Sequence, residues 1–106
     1  MGAILGLRPE AYEEYKRYHA RIWPEIEQAI RESGITSYSI YHFQGTMFAY
    51  YEYTGPEEEY DERMRRLDAA PRMQEWYAIM QRFQVPVEGR RPGEWWASME
   101  EVFHQD

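Results

Sequence analysis

A chain of 106 residues with 12 basic and 19 acidic side chains carries a net charge of −7. It has room for one domain with one modest core, and too little clustered positive charge to grip a nucleic-acid backbone. Cysteine is absent, which excludes disulfides, zinc–thiolate and iron–sulfur centres, and thiol catalysis.

No apolar run approaches membrane-spanning length, and the opening MGAILGLRPE lacks the basic leader of a secretory signal. The expectation is a soluble, cytoplasmic protein with a single domain over residues 1–106. Ten Tyr, four Trp and four Phe make the chain 17% aromatic. Side chains with an apolar body and a polar tip suit a ring-lined pocket or an interface with a second copy of the chain.

In chain order, Ala3 to Leu7 is a short apolar run that reads as a strand ending at Arg8-Pro9. Pro9 and the acids Glu10, Glu13 and Glu14 suit the start of a helix, whose apolar stripe runs through Tyr12, Tyr15, His19, Ile22, Ile26 and Ile30. Pro24 has no amide hydrogen and disfavours helix in the residue before it, so a break near Trp23 is expected. Such a break would turn Trp23 and Ile26 away from any pocket beside His19. Gly34 stands where helices commonly end.

ITSYSIYHF (35–43) alternates, with Ile35, Ser37, Ser39, Tyr41 and Phe43 on one face and Tyr38, Ile40 and His42 on the other. A Gln44-Gly45-Thr46 turn and the run MFAYYEY (47–53) complete a hairpin. A charged helix is expected over about 57–69, and a second opening at Pro71 with Met73, Trp76, Tyr77 and Met80 on one stripe. VPVEGRRPGEWW (85–96) reads as a loop and SMEEVFH (98–104) as a final strand. The order is β-α-β-β-α-β, an α+β arrangement of the ferredoxin-like type. One face of such a sheet needs a cover, and a second copy would make a dimeric α+β barrel.

Three histidines, His19, His42 and His104, lie far apart and in no metal-binding pattern, so no metal site is expected. His42 and His104 read as strand-surface or core-edge residues. His19 sits one turn after Tyr15 and close to Tyr18 and Trp23, where an imidazole near neutrality could move protons. Spacing alone leaves it open between an interior histidine and a catalytic one. The pair Trp76-Tyr77 is likewise open between core packing and a pocket wall. Arg82, Arg90 and Arg91 could meet an anion, but no glycine-rich phosphate loop accompanies them.

The run YKRYHARIWPEI, the following GITSYSIY, the helix QEWYAIM and the terminal EEVF together resemble the L-rhamnose mutarotase family, over nearly the whole chain. The C-terminal stretch QEWYAIMQRFQVPVEGRRPGEWWASMEEVF looks closest to its L-fucose mutarotase branch. The resemblance implies a homodimeric α+β barrel that interconverts the α and β anomers of a 6-deoxyhexose without a cofactor. It matches His19 to the family's proton-transferring histidine, Tyr15 and Tyr38 to its sugar-binding tyrosines, and Trp76 and Tyr77 to its paired tryptophans.

Two departures stand out. Tyr77 replaces the second tryptophan, and the loop 85–96 lacks the Asn-Pro-Asp-Asn run typical of rhamnose members. Two other readings share the architecture: a cofactor-independent monooxygenase or cyclase acting on an aromatic or polyketide substrate, and a non-enzymatic small-molecule binding module.

Overall fold

The computed structural model describes residues Met1 to Asp106. The strands are β1 (Gly2–Leu7), β2 (Ile35–Phe43), β3 (Thr46–Tyr53), β4 (Gln84–Val85) and β5 (Ala97–Ser98). The helices are α1 (Tyr12–Ala20), α2 (Pro24–Glu32), α3 (Tyr60–Ala69) and α4 (Pro71–Gln81). The sheet is antiparallel in the order β2-β3-β1-β4, and β5 also pairs with β1. This is the expected ferredoxin-like α+β fold.

Two prolines shape the helical layer. Trp23 and Ala70 are both extended, at φ −62°, ψ 134° and φ −60°, ψ 130°, each just before a proline that opens the next helix. The ring of a proline excludes helical backbone in its predecessor. Each helical stretch is therefore split, and the break expected at Trp23 is present. Gly34 follows α2 at φ +94°, a conformation that other residues adopt only with strain.

The helices cover one face of the sheet. Leu5, Leu7 and Met47 rise from the strands to meet Ile26, Met73, Trp76 and Met80 in one buried cluster. Burying side chains of this size stabilises the fold by roughly 1.5–3 kcal/mol each before the ordering entropy is counted. The opposite face carries Tyr41, Phe43, Phe48 and Tyr50, which are 65%, 68%, 38% and 46% exposed.

The hairpin is found where the sequence places it, but its facing differs. Register slips by one residue between Thr36 and Ser39, with Ser37 at φ +51°. This bulge reverses the parity of everything before it. Ile35 is buried with the helices and lies on the same side as Ile40, whereas strict alternation groups it with Tyr41 and Phe43. The bulge thus lets Ile35 enter the core while Tyr38 faces the helices too.

The last strand also differs. Residues 99–106 have no regular structure, and only Ala97–Ser98 of that region pairs with β1. The strand after α4 is Gln84–Val85, at the beginning of the segment read as a loop. Two-residue edge strands have no periodicity of their own and are dictated by the strand they join. Here β1 sets the partner. A Cβ on Gly6 would lie 2.8 Å from the Val85 carbonyl oxygen, so the glycine permits the close approach of β4.

Candidate active site

Between the helices and the sheet lies a cavity of about 1100 Å³, to which α1, α2, α3, α4, β2, β4 and the loop 86–96 all contribute. The five residues singled out in the sequence, Tyr15, His19, Tyr38, Trp76 and Tyr77, all line it. A second concavity of about 680 Å³ over the loop has two hydrophobic lining residues and neither histidine nor phenol. It offers little to hold or transform a small molecule.

His19 sits in the last turn of α1, half-buried. Its Nδ1 lies 2.9 Å from the backbone carbonyl oxygen of Tyr15. A carbonyl only accepts, so Nδ1 carries the hydrogen and Nε2 of the neutral ring keeps a free lone pair. The ring packs against Tyr15 at 4.4 Å and edge-on to Trp76 at 5.5 Å, centroid to centroid. Burial among these rings pulls the imidazole below its ordinary range, partly opposed by the bond to Tyr15. The side chain is therefore a neutral base at pH 7.

Tyr15 is 6% exposed, and its hydroxyl oxygen accepts a hydrogen bond from Gln84 Nε2 at 3.1 Å. Gln84 in turn accepts from the Trp95 indole at 2.8 Å. Burial, against the opposing effect of the Gln84 bond, pushes the Tyr15 phenol up to about 12. It stays protonated at neutral pH.

Farther along the cavity, Tyr38 stacks on Tyr51 with centroids 5.6 Å apart. Tyr77 donates to Asp68 Oδ1 at 2.7 Å. Burial first, and then the Asp68 carboxylate, raises the phenols of Tyr38 and Tyr77. Adjacent helical residues point about 100° apart. Trp76 thus packs toward Tyr18 and Trp23, with centroids at 6.0 and 5.1 Å, while Tyr77 reaches α3. Both readings of the Trp76-Tyr77 pair apply at once: Trp76 is 5% exposed and also forms cavity wall.

Other residues fall differently. Ile26 lines the cavity, contrary to the expectation that the Pro24 break turns it away, because α2 restarts with its apolar face inward. Trp23 is not part of the lining and carries Arg72 over its ring at 3.8 Å. His42 stacks on Tyr12 at 4.6 Å and accepts from the Gly45 amide, a turn-holding role. His104 lies in the exposed tail beside Asp106 and belongs to no strand.

Asp68, Gln84 and Trp95 escape a reading by periodicity. Asp68 lies in the last turn of a highly charged helix and Gln84 occupies a two-residue strand, so neither carries a local signal. Trp95-Trp96 did carry one, since two large rings in a Pro- and Gly-rich loop need something to pack against.

Comparisons with known proteins identify the family. The family model for L-rhamnose mutarotase matches residues 1–105. An L-rhamnose mutarotase of Lactiplantibacillus plantarum is 32% identical, over 100% of this chain and 97% of its own length. An L-fucose mutarotase of Xanthomonas campestris is 32% identical, over 85% of this chain and 73% of its own. The crystal structure of an L-rhamnose mutarotase from Formosa agariphila superposes with a TM-score of 0.76, at 22% identity, covering 99% of this chain and 96% of that one. The chain belongs to the L-rhamnose mutarotase family.

Proposed function

We propose that the protein is an isomerase that interconverts the α and β anomers of a 6-deoxyhexose of the L-rhamnose and L-fucose class, using side chains alone. The observation that carries this reading is the neutral imidazole of His19, whose Nδ1 is committed to the Tyr15 carbonyl beside a ring-lined cavity. Family membership supports the same reaction.

Mutarotation breaks the bond between the anomeric carbon and the ring oxygen and recloses it on the other face. His19 Nε2 takes the proton of the anomeric hydroxyl as the carbonyl forms. The electron pair of the breaking bond goes to the ring oxygen, which receives from the protonated imidazole the proton that His19 has just taken. Rotation about the neighbouring carbon–carbon bond and the reverse steps give the other anomer. A base with a pKa near or below neutrality can take and return that proton, which contributes typically about 10²–10⁴-fold. The phenols of Tyr15 and Tyr38 and the Tyr77–Asp68 pair hold hydroxyls, while Trp76 offers an apolar face to the sugar's C–H side.

A homodimer in the cytoplasm completes the proposal. Tyr41 and Phe48 are direct cross-strand partners on the open face of the sheet. Together with Phe43 and Tyr50 they form an apolar patch of the kind that second copies cover.

Saturation transfer between the anomeric protons of L-fucose and L-rhamnose, measured by NMR, tests the activity. His19→Ala is expected to reduce exchange to the uncatalysed rate while the thermal unfolding midpoint stays close to wild type. Wild-type exchange no faster than buffer with either sugar overturns the proposal, and undiminished exchange in the variant removes His19 from it.

A further inference from the structure

We infer that Trp95 and Gln84 are positioning residues that make the Tyr15 hydroxyl an obligate hydrogen-bond donor to the occupant of the cavity. The inference rests on that cavity being the sugar site. It gives the loop 86–96 a role in the reaction.

The argument starts from an indole that can only donate. Trp95 Nε1 lies 2.8 Å from the Gln84 side chain, so the amide must present its oxygen there; the reverse orientation would set donor against donor. With the oxygen turned to Trp95, the amide nitrogen faces Tyr15, 3.1 Å from the phenol oxygen. That oxygen accepts, and its single hydrogen is left over. Tyr15 donates to no protein group, and it lines the cavity. Gln84 is 6% exposed, so water does not compete for the amide.

Three segments meet in this chain of bonds: the loop, β4 and α1. β4 and β5 flank the loop on the same edge of β1, at Gly6-Leu7 and Ala3-Ile4. The excursion between them leaves the sheet at Val85 and returns with Trp95 over Gln84.

The chemical consequence concerns the ring oxygen of a pyranose, which has lone pairs and no hydrogen. A phenol free to rotate could accept from a sugar hydroxyl as readily as it donates. One whose oxygen already accepts from Gln84 favours partners that only accept. As the anomeric carbon–oxygen bond breaks, negative charge grows on the ring oxygen and a donor already aimed there holds it more strongly.

The test compares Gln84→Glu with Gln84→Met by saturation transfer from about pH 7 to 9, because burial raises a carboxyl at this position and the Glu variant must be read where it has ionised. An ionised carboxylate only accepts, so it would take both the indole hydrogen and the Tyr15 hydrogen. Methionine leaves the Tyr15 hydrogen free but no longer engages the phenol oxygen. The expected result is a kcat at least about tenfold lower for the Glu variant and an intermediate loss, about threefold to tenfold, for the Met variant, with the half-saturating sugar concentration little changed in both. In a Tyr15→Phe background the Glu substitution should cost nothing further. A Met variant with wild-type kcat overturns the inference, since Gln84 then does nothing for the Tyr15 donor, and so does a loss of the same size in the Tyr15→Phe background, where shape alone would explain it.

A second measurement needs neither a variant nor turnover. In the wild-type protein, nuclear Overhauser contacts from the Gln84 amide hydrogens should be stronger to the Tyr15 ring than to the Trp95 indole hydrogen. The opposite pattern overturns the inference even if the protein exchanges sugar anomers. No exchange with the expected pattern would instead count against the mutarotase reading alone.

Discussion

Tyr77 and Asp68 are joined by a 2.7 Å hydrogen bond that crosses the break between α3 and α4. Asp68 stands near the C-terminal end of α3, where the helix dipole disfavours negative charge. Tyr77 supplies a compensating donor. The bond occupies Oδ1 and leaves Oδ2 free as an acceptor on the cavity wall, at the position that the sequence resemblance matches to a second tryptophan. An indole offers a face and a donor; the Tyr–Asp pair offers an acceptor. Asp68→Ala and Tyr77→Phe are each expected to raise the half-saturating sugar concentration by about threefold to tenfold, corresponding to the loss of one hydrogen bond of ordinary strength. Titration of saturation transfer against sugar concentration gives the values. The double variant should lose less than the product of the two single losses, because the residues act as a pair.

The pH dependence follows from His19. Burial holds its imidazole below the ordinary histidine range. The base is active only when neutral, so kcat/KM should be level above pH 7 and fall on acidification, with a midpoint below that of a free histidine. Stability follows the same sign. The unfolded chain takes up a proton at the ordinary histidine pKa while the folded chain resists, so the contribution of His19 is present above that pKa and is lost as pH falls toward the lowered folded value. Urea midpoints for wild type and His19→Gln at pH 7.5 and 5.5 should show the wild type losing more stability than the variant between the two.

The open sheet face yields an assembly prediction. Phe43 is 68% exposed at the end of β2, an edge strand of the sheet, close to the Tyr41–Phe48 pair. Wild-type protein should sediment at twice the 12.9 kDa chain mass, and Phe43→Glu should shift the population toward one chain, because a buried unpaired carboxylate is costly. A wild-type protein that sediments as a single chain at tens of micromolar would refute the dimer.

Gly6 is the contact on which β4 depends. Gly6→Ala drives a methyl group to within 2.8 Å of the Val85 carbonyl oxygen, a distance that backbone must move to relieve. The expected cost is about 1–3 kcal/mol in urea unfolding. Gln84 belongs to the same two-residue strand and faces Tyr15 across the cavity edge. Displacing β4 should therefore also lower kcat, more than the equivalent change at Gly2 on the same strand, where an added Cβ meets only ordinary contacts no closer than 3.9 Å.

Much of this protein was settled by local sequence chemistry. Pro24 and Pro71 split the helices through the steric restriction on the residues before them. The hydrophobic period placed Tyr15 and His19 on one stripe, and the Gly45 turn closed the hairpin over Ile35–Phe43. These features depend on neighbours within a few residues, which is why they are legible in one dimension.

Tertiary structure decided the rest. The bulge at Ser37 turns Ile35 toward the helices, the side on which alternation already places Tyr38 and Ile40, and β1 determines that Gln84–Val85 and Ala97–Ser98 become strands while residues 99–106 do not. Asp68, Gln84 and Trp95 join the cavity only because segments distant in the chain meet there. Hydrogen-bond partners so far apart leave no period or spacing in the sequence, so their pairing emerges only when the sheet and helices have closed around a common space.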